Sequence, residues 1–311
     1  MTGPLFIAGD WGTSHLRLYL CGEAGVIDRK TGPGAVGAAE PHAAILMSRI
    51  QPWIDRHGPL PVLLCGMVGS RNGWVEAPYA PCPAGAADLR RLAVALEVQG
   101  LKVAIVPGVA GQNPRGAPDV MRGEEAQIIG AIRLAPELGQ GRRLVCHPGT
   151  HAKWAVIEDG RITGFQTAMT GELFALLRDH STLGRVGGEA ATPGDGFALG
   201  LARAEETAEA GLLHALFETR SRQLIDGWGA AFAMDFLSGL LIGADVGGAL
   251  AQFGREAGEV ALIGDPALAE RYGRALARRG VAVRSLSGED CALAGLVAIF
   301  ETGKDAPHVA R

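Results

Sequence analysis

GDWGTSHLRLYL, residues 9–20, runs from the end of one apolar segment through a glycine turn into an alternating one. With Leu5–Ala8 in front, and Val26–Asp28 behind the turn Cys21–Gly25, it predicts three short antiparallel strands. The decisive part is the tip, Gly12-Thr13-Ser14. Glycine permits backbone conformations closed to other residues, so successive N–H groups and two hydroxyls can point into one concavity that suits phosphate oxygens. Asp10, just before the tip, repels phosphate but suits Mg²⁺, which favours few carboxylates plus phosphate oxygens. The plain alternative is an ordinary turn closed by the side chains of Asp10 and Thr13.

The pattern recurs. Beyond the first hairpin the spacing predicts a helix over Pro41–Arg56, a buried strand Val62–Cys65, a helix over Ala86–Gln99, a strand Val103–Val106 and a helix from about Val120 to Leu134. After the turn-rich APELGQGRR the opening motif returns as LVCH, PGTH, AKWAVI, EDG and RITGF. Gly149-Thr150-His151 then stands where Gly12-Thr13-Ser14 stood, at the head of a second half. The alternation indicates α/β layers with mixed sheets, and the repeat two domains, 1–137 and 143–311. Two phosphate-holding tips would together grip a nucleotide triphosphate.

Composition narrows the classes. The chain has 311 residues, 48% of them hydrophobic, which favours two cores over one. A net charge of -4 with scattered Lys and Arg argues against nucleic acid. The five cysteines, Cys21, Cys65, Cys82, Cys146 and Cys291, form no CxxC pair and suggest a reducing cytoplasm. No basic leader precedes the first apolar run, so no secretory signal is expected. Ala230–Leu250 carries Asp235 and Asp245 among several glycines, which fits a helix and turn buried in protein better than a membrane span.

The pattern Asp10, Gly12, Thr13, Ser14, Arg17 resembles the first phosphate loop, D-x-G-T-S/T-x-x-R, of sugar kinases in the actin, hexokinase and Hsp70 ATPase superfamily. GMVGSRNGW (66–74), DVMRGEEAQ (119–127), PGTHAKW (148–154) and LSGLLIGAD (237–245) resemble the 2-dehydro-3-deoxygalactonokinase family and, with that loop, span nearly the whole chain. Ala152 departs from the family pattern, where a serine is expected. The resemblance implies an α/β fold of two actin-like, ribonuclease H-like domains facing across a nucleotide cleft. It also implies ATP-dependent phosphorylation of the terminal (C6) hydroxyl of 2-dehydro-3-deoxy-D-galactonate in galactonate catabolism. Composition and spacing alone support an ATP-using protein and say nothing of its substrate; another sugar or sugar-acid kinase, or a nucleotide-switched binding module, stays open on those grounds.

Phosphoryl transfer asks mainly for positioning and charge stabilisation, so donors and a metal matter most. Asp10 is expected to organise Mg²⁺, with Gly12, Thr13, Ser14, Gly149 and Thr150 on the phosphates of ATP. Gly264, at the end of the apolar run Val260–Gly264, would let adenine or ribose approach closely. Asp119 is the expected general base, with Asp10 the runner-up. Asp119 would also N-cap the helix that follows, and its place resembles that of the catalytic aspartate in related kinases by order along the chain. An anionic sugar acid needs a cation able to pair with a carboxylate: Arg71, flanked by Asn72 and Trp74, ranks first, and Arg122 with Glu124 second. Glu124 and Glu125 read equally well as an acidic first helical turn. No membrane partner is expected, and a homodimer is possible.

Overall fold

The computed structural model describes residues 3–185, 194–254 and 258–303. The chain opens with β1 (Pro4–Trp11), β2 (His15–Gly22) and β3 (Gly25–Pro33), then α1 (His42–His57) and β4 (Val62–Cys65). Next come β5 (Tyr79–Pro81), α2 (Ala86–Arg91), β6 (Val94–Val98), β7 (Leu101–Ile105), β8 (Gly108–Gln112), β9 (Pro118–Met121) and α3 (Glu124–Leu134). The second half runs β10 (Arg142–His147), β11 (Ala152–Glu158), β12 (Arg161–Ala168), α4 (Thr170–His180), α5 (Gly196–Glu206), α6 (Leu212–Leu216), α7 (Glu218–Ile225), α8 (Ala230–Phe253), β13 (Glu259–Gly264), α9 (Pro266–Arg278), β14 (Ala282–Ser287) and α10 (Gly288–Thr302).

The duplication is visible in the strand order. One sheet runs β3-β2-β1-β4-β7-β6 and the other β12-β11-β10-β13-β14, so each hairpin meander continues into a crossover strand beside its own first strand. Ile7 pairs Val62 in parallel in the first sheet, and Leu144 pairs Val260 in parallel in the second. Both sheets belong to the mixed α/β arrangement expected from the hairpin repeat. A third sheet, β5-β8-β9, carries the residues leading into α3.

The chain divides into two compact units. The first holds residues up to Arg143, the hairpin end Val156–Phe165 and everything from Leu286 on; the second holds Leu144–Ala155 and Gln166–Ser285. In the first unit, Leu16, Leu18 and Leu20 on one face of β2 join Ile45, Leu46, Ile50 and Trp53 of α1 and Leu64 of β4 in one core. On the opposite face, Phe6 stacks on Phe300 of α10 with ring centroids 3.9 Å apart. Cover on both faces explains why β2 is buried almost throughout instead of alternating. α10 crosses α3 so closely that a Cβ on Gly130 would lie 1.7 Å from the Cys291 carbonyl oxygen, which ties the C-terminal helix to the first unit.

Three expectations are corrected. The helix over Ala86–Gln99 is only α2; from Val94 the chain is β6, because V-A-L-E-V alternates and the positive-φ pair Gln99-Gly100 turns it into β7. The helix expected from Val120 begins at Glu124, and Asp119-Val120 belong to β9. Ala230–Leu250 contains no turn; it lies within one continuous 24-residue helix, long and apolar enough by composition to cross a membrane, but whose Ala233, Phe236, Leu237 and Leu240 are buried in the second unit.

Candidate active site

In the first unit the β1–β2 tip is held from behind. Gly12 N–H donates to His15 O at 3.0 Å, and Ala35 N–H donates to Gly12 O at 3.0 Å, laying Gly34–Val36 against the tip. A Cβ on Gly34 would fall 1.9 Å from Thr13 O, so only glycine fits there. Thr13 and Ser14 themselves are exposed. The tip is therefore a fixed backbone with exposed hydroxyls, which is what a phosphate ligand requires.

Asp10 closes β1 directly beneath this tip, its side chain only 14% exposed. Arg17 Nη1 donates to Asp10 Oδ2 at 3.4 Å, and the same guanidinium reaches Glu289 of α10 at 3.6 Å. Burial pushes the Asp10 carboxyl above its usual range and Arg17 opposes the shift. Cys65 Sγ lies 4.0 Å from Asp10 Oδ1; burial, then Asp10, then Glu125 raise that thiol well above its ordinary value, which leaves it a poor nucleophile.

Beyond β4 the chain turns at Gly66 (φ 94°), where a side chain would strike Trp11 O at 2.8 Å. The loop that follows folds on itself: Trp74 N–H donates to Val68 O at 2.8 Å and Ala77 N–H to Gly69 O at 2.9 Å. Arg71 and Asn72 are exposed at its crest, and Arg71 has no ion-pair partner among the described residues. Trp74 does not share that crest. It stacks on His42 at 6.3 Å and meets Trp11 edge-on, packed against the core.

Arg122 and Glu124 lie under this loop. Arg122 Nη2 donates to Ala77 O at 2.7 Å and its guanidinium sits 4.5 Å over the Tyr79 ring. Its Nε and Nη1 are buried without a hydrogen-bond partner among the described residues. Glu124 Oε2 accepts the Arg122 N–H at 3.0 Å, and Glu125 Oε2 the Gly123 N–H at 2.7 Å, so this pair ties the turn before α3. Asp119 sits apart from that turn on β9, opposite Gly111, with its carboxylate on the Val120 N–H at 2.8 Å. It caps no helix, since Gly123 occupies that place. Two strand steps, about 7 Å, separate it from Met121.

In the second unit the β10–β11 tip packs on the start of α4. Glu172 N–H donates to Thr150 O at 2.9 Å, and a Cβ on Gly171 would lie 2.4 Å from Gly149 O. Thr150 is exposed, His151 bonds Glu172, and Ala152 is buried. Gly264 (φ 152°) ends β13 with its missing side chain 3.4 Å from Pro148 O, so it borders this tip. Asp265 does the plain work of capping α9, accepting from Ala267 and Leu268 N–H groups. A cavity of about 240 Å³ opens from Gly149, Thr170 and Gly171 toward Asp235, Ser238 and Arg271. The last three were not anticipated. Arg271 donates to Asp235 at 2.7 Å and to Ser238 at 3.1 Å, a link across α8 and α9 that no local motif encodes. Asp245, from the LSGLLIGAD block, takes three donors, Trp154 Nε1, Thr170 Oγ1 and Tyr272 OH at 2.6–2.9 Å, and so fixes the second tip's strand to α4, α8 and α9.

A family profile described as 2-keto-3-deoxy-galactonokinase matches residues 10–299. The chain belongs to that family. It is 40% identical over 301 residues to a Rhizobium meliloti (strain 1021) protein named a probable 2-dehydro-3-deoxygalactonokinase, covering 96% of this chain and 97% of that one. It is 33% identical over 296 residues to the 2-dehydro-3-deoxygalactonokinase of Escherichia coli (strain K12), covering 94% and 97%. A crystal structure from Sinorhizobium meliloti, carrying the same provisional name, is 39% identical with a TM-score of 0.86 and covers 97% of this chain and 100% of that one. Membership of this kinase family makes the chain a phosphotransferase.

Proposed function

We propose that this chain transfers the γ-phosphoryl group of ATP to the C6 hydroxyl of 2-dehydro-3-deoxy-D-galactonate, giving 2-dehydro-3-deoxy-6-phosphogalactonate, in the cytoplasm and as a step of galactonate catabolism. The observation that carries the reading is the β1–β2 tip: exposed Thr13 and Ser14 on a backbone fixed by Gly34, with Asp10 beneath it, in a chain of this family.

In the first unit Gly12, Thr13 and Ser14 supply N–H and hydroxyl donors to phosphate oxygens; in the second, Gly149 and Thr150 offer a like set, with Gly264 bordering that tip for the adenosine. The donor set suits Mg²⁺ arriving with the nucleotide: one carboxylate, Asp10, with Arg17 on one of its oxygens. Among the described residues no three His, Cys, Asp or Glu side chains gather to hold a metal by themselves. Bound there, the ion would neutralise phosphate charge. Arg71 and Asn72, at the crest of the 66–77 loop, orient the substrate carboxylate; Arg122 and Glu124 support that loop from below, and Trp74 anchors it to the core.

In the reaction the acceptor O–H gives its proton to a first-unit carboxylate, the oxygen bonds to the γ-phosphorus, and the bridging P–O bond breaks to release ADP. Asp119 and Asp10 are the two candidates for that proton. Asp119→Asn separates them: as base, it binds ATP normally and transfers phosphate very slowly, whereas near-full turnover leaves the role to Asp10. The test of the whole reading is a coupled assay of ADP formation over a panel of sugar acids and neutral sugars. Turnover confined to 2-dehydro-3-deoxy-D-galactonate is expected. A neutral sugar used better, or slow hydrolysis with no acceptor, would reject it.

A further inference from the structure

Glu125 is the charged side chain hardest to explain as scaffolding. It is fully buried, one of its oxygens has no hydrogen-bond partner among the described residues, and the chain devotes two positive-φ glycines to the place where it sits. A carboxyl kept wholly out of water with an unsatisfied oxygen costs stability, and such groups concentrate where function requires them.

The contacts run in one direction. Glu125 Oε2 accepts the N–H of Gly123 at 2.7 Å and so fixes that residue at φ 107°. Gly123 lies against Gly66: a Cβ on Gly123 would come within 3.5 Å of the Gly66 Cα. Gly66 in turn abuts the end of β1, its own missing Cβ 2.8 Å from Trp11 O and 3.5 Å from Asp10 Oδ1. A side chain at Gly66 would part the layers; at Gly123 a Cβ would meet Gly66 at ordinary contact distance, and the positive φ is what calls for glycine there. The start of α3, the turn after β4 and the carboxylate beneath the phosphate tip thus form one stack, with Glu125 at its base.

We propose that Glu125 is a positioning residue for phosphoryl transfer: its carboxyl clamps the Arg122-Gly123 turn onto the Gly66 turn, and through that stack holds Asp10 at the depth and angle the nucleotide-bound metal requires. The inference rests on the role given above to Asp10. It assigns Glu125 no contact with substrate.

The charged and titratable groups around Glu125 are Glu124 and Arg122 on its own turn and Cys65 on β4, with Asp10 of β1 on the far side of Cys65; α10, packed on the same helix, brings the Cys291 segment against Gly130, one and a half turns further on. Glu124 opposes ionisation and Arg122 favours it, but burial dominates and pushes Glu125 up to about 8. The clamp is therefore a neutral acid at neutral pH, and a buried charge appears at the base of the stack above it.

Glu125→Gln and Glu125→Ala decide the matter, measured against wild-type turnover with ATP and whichever sugar acid the panel identifies. Glutamine keeps a carbonyl oxygen for the Gly123 N–H and carries no charge. It is expected to keep kcat within about threefold of wild type at pH 7 and to retain it at pH 9, where wild type falls at least fivefold. Alanine is expected to lower kcat roughly 100-fold with the sugar-acid KM within threefold, and to weaken binding of Mg²⁺-ATP by calorimetry while binding of metal-free ATP is unchanged. A folded Glu125→Gln protein that is inactive at pH 7 would overturn the proposal, because the carboxylate itself would then be needed. So would an alkaline limb identical to wild type, or an alanine variant with wild-type turnover. A wild-type chain that phosphorylates nothing in the panel refutes the proposed function instead, and the calorimetric arm still reads the clamp.

Discussion

Replacing Gly130 by alanine should separate two helices that the first unit needs in contact. The new Cβ would lie 1.7 Å from Cys291 O, 2.6 Å from Cys291 C and 2.7 Å from Gly295 N, where real contacts essentially never fall below 3.0 Å. All three obstacles are backbone, so no side chain can swing aside. α3 and α10 must move apart by about 1.3 Å, and a gap of even 0.5–1 Å forfeits a quarter to a half of each dispersion contact. The buried residues on the two facing helices, Ala126, Ile129, Cys291, Ala292, Leu296 and Ile299 among them, share that loss. Overpacking costs roughly 1–3 kcal/mol, and the top of that range applies where every obstacle is backbone; the gain in helix propensity from glycine to alanine returns about 1, leaving a net loss of roughly 2 kcal/mol. Gly248 on α8 provides the opposite case: nothing lies within 4 Å of its added Cβ, so Gly248→Ala should stabilise by roughly 0.5–1 kcal/mol. Urea denaturation followed by tryptophan fluorescence and circular dichroism, with both variants beside wild type, reads the two signs. A Gly130→Ala protein within 0.5 kcal/mol of wild type would refute the crossing on which the placement of α3 and α10 depends.

Three further outcomes are expected. Gly34→Ala puts a Cβ 1.9 Å from Thr13 O and should raise the KM for ATP at least tenfold by shifting the tip, with the sugar-acid KM unchanged; equal effects on both would show general misfolding. Arg71→Ala should raise the sugar-acid KM about 10- to 100-fold, the worth of a charge-assisted pair, and leave ATP binding alone, as steady-state kinetics will show. Glu125 titrates near 4.5 when unfolded and at about 8 when folded, so the unfolded chain loses its proton first and stability falls as pH rises between those values. Glu125→Gln should abolish that fall, melting at the wild-type temperature near pH 4.5 and above it at pH 8, by an amount of up to roughly 5 kcal/mol; a glutamine variant that melts lower at pH 8 contradicts a buried neutral acid.

What was legible in the sequence follows from which interactions are local. The hairpin, its tip and the repeat were readable because strand alternation and a glycine turn are written in consecutive residues, and Thr13, Ser14 and Thr150 end exposed at the tips. The boundary at Asp119 was misread because a capping aspartate and a strand aspartate look alike until pairing partners are known. Gly108–Gln112, itself paired with the distant β5, makes Asp119-Val120 a strand by supplying the opposite edge. Trp74 and Arg122 were read as ligand-facing because aromatic and cationic side chains near glycines suggest a site; instead, the core claims the ring and the Ala77 carbonyl and Tyr79 ring claim the guanidinium. Glu125 was visible only as half of an acidic pair. Its neighbour Glu124 keeps a foothold in solvent while Glu125 points inward, a difference of 100° around the helix that periodicity contains but that means nothing until Gly66 and Asp10 are known to lie on that side. The least legible residues are those whose role depends on another segment's backbone arriving within 3–4 Å, and the stack from Glu125 to Asp10 consists of such approaches; its glycines, Gly66 and Gly123, are the one local trace the sequence keeps of it.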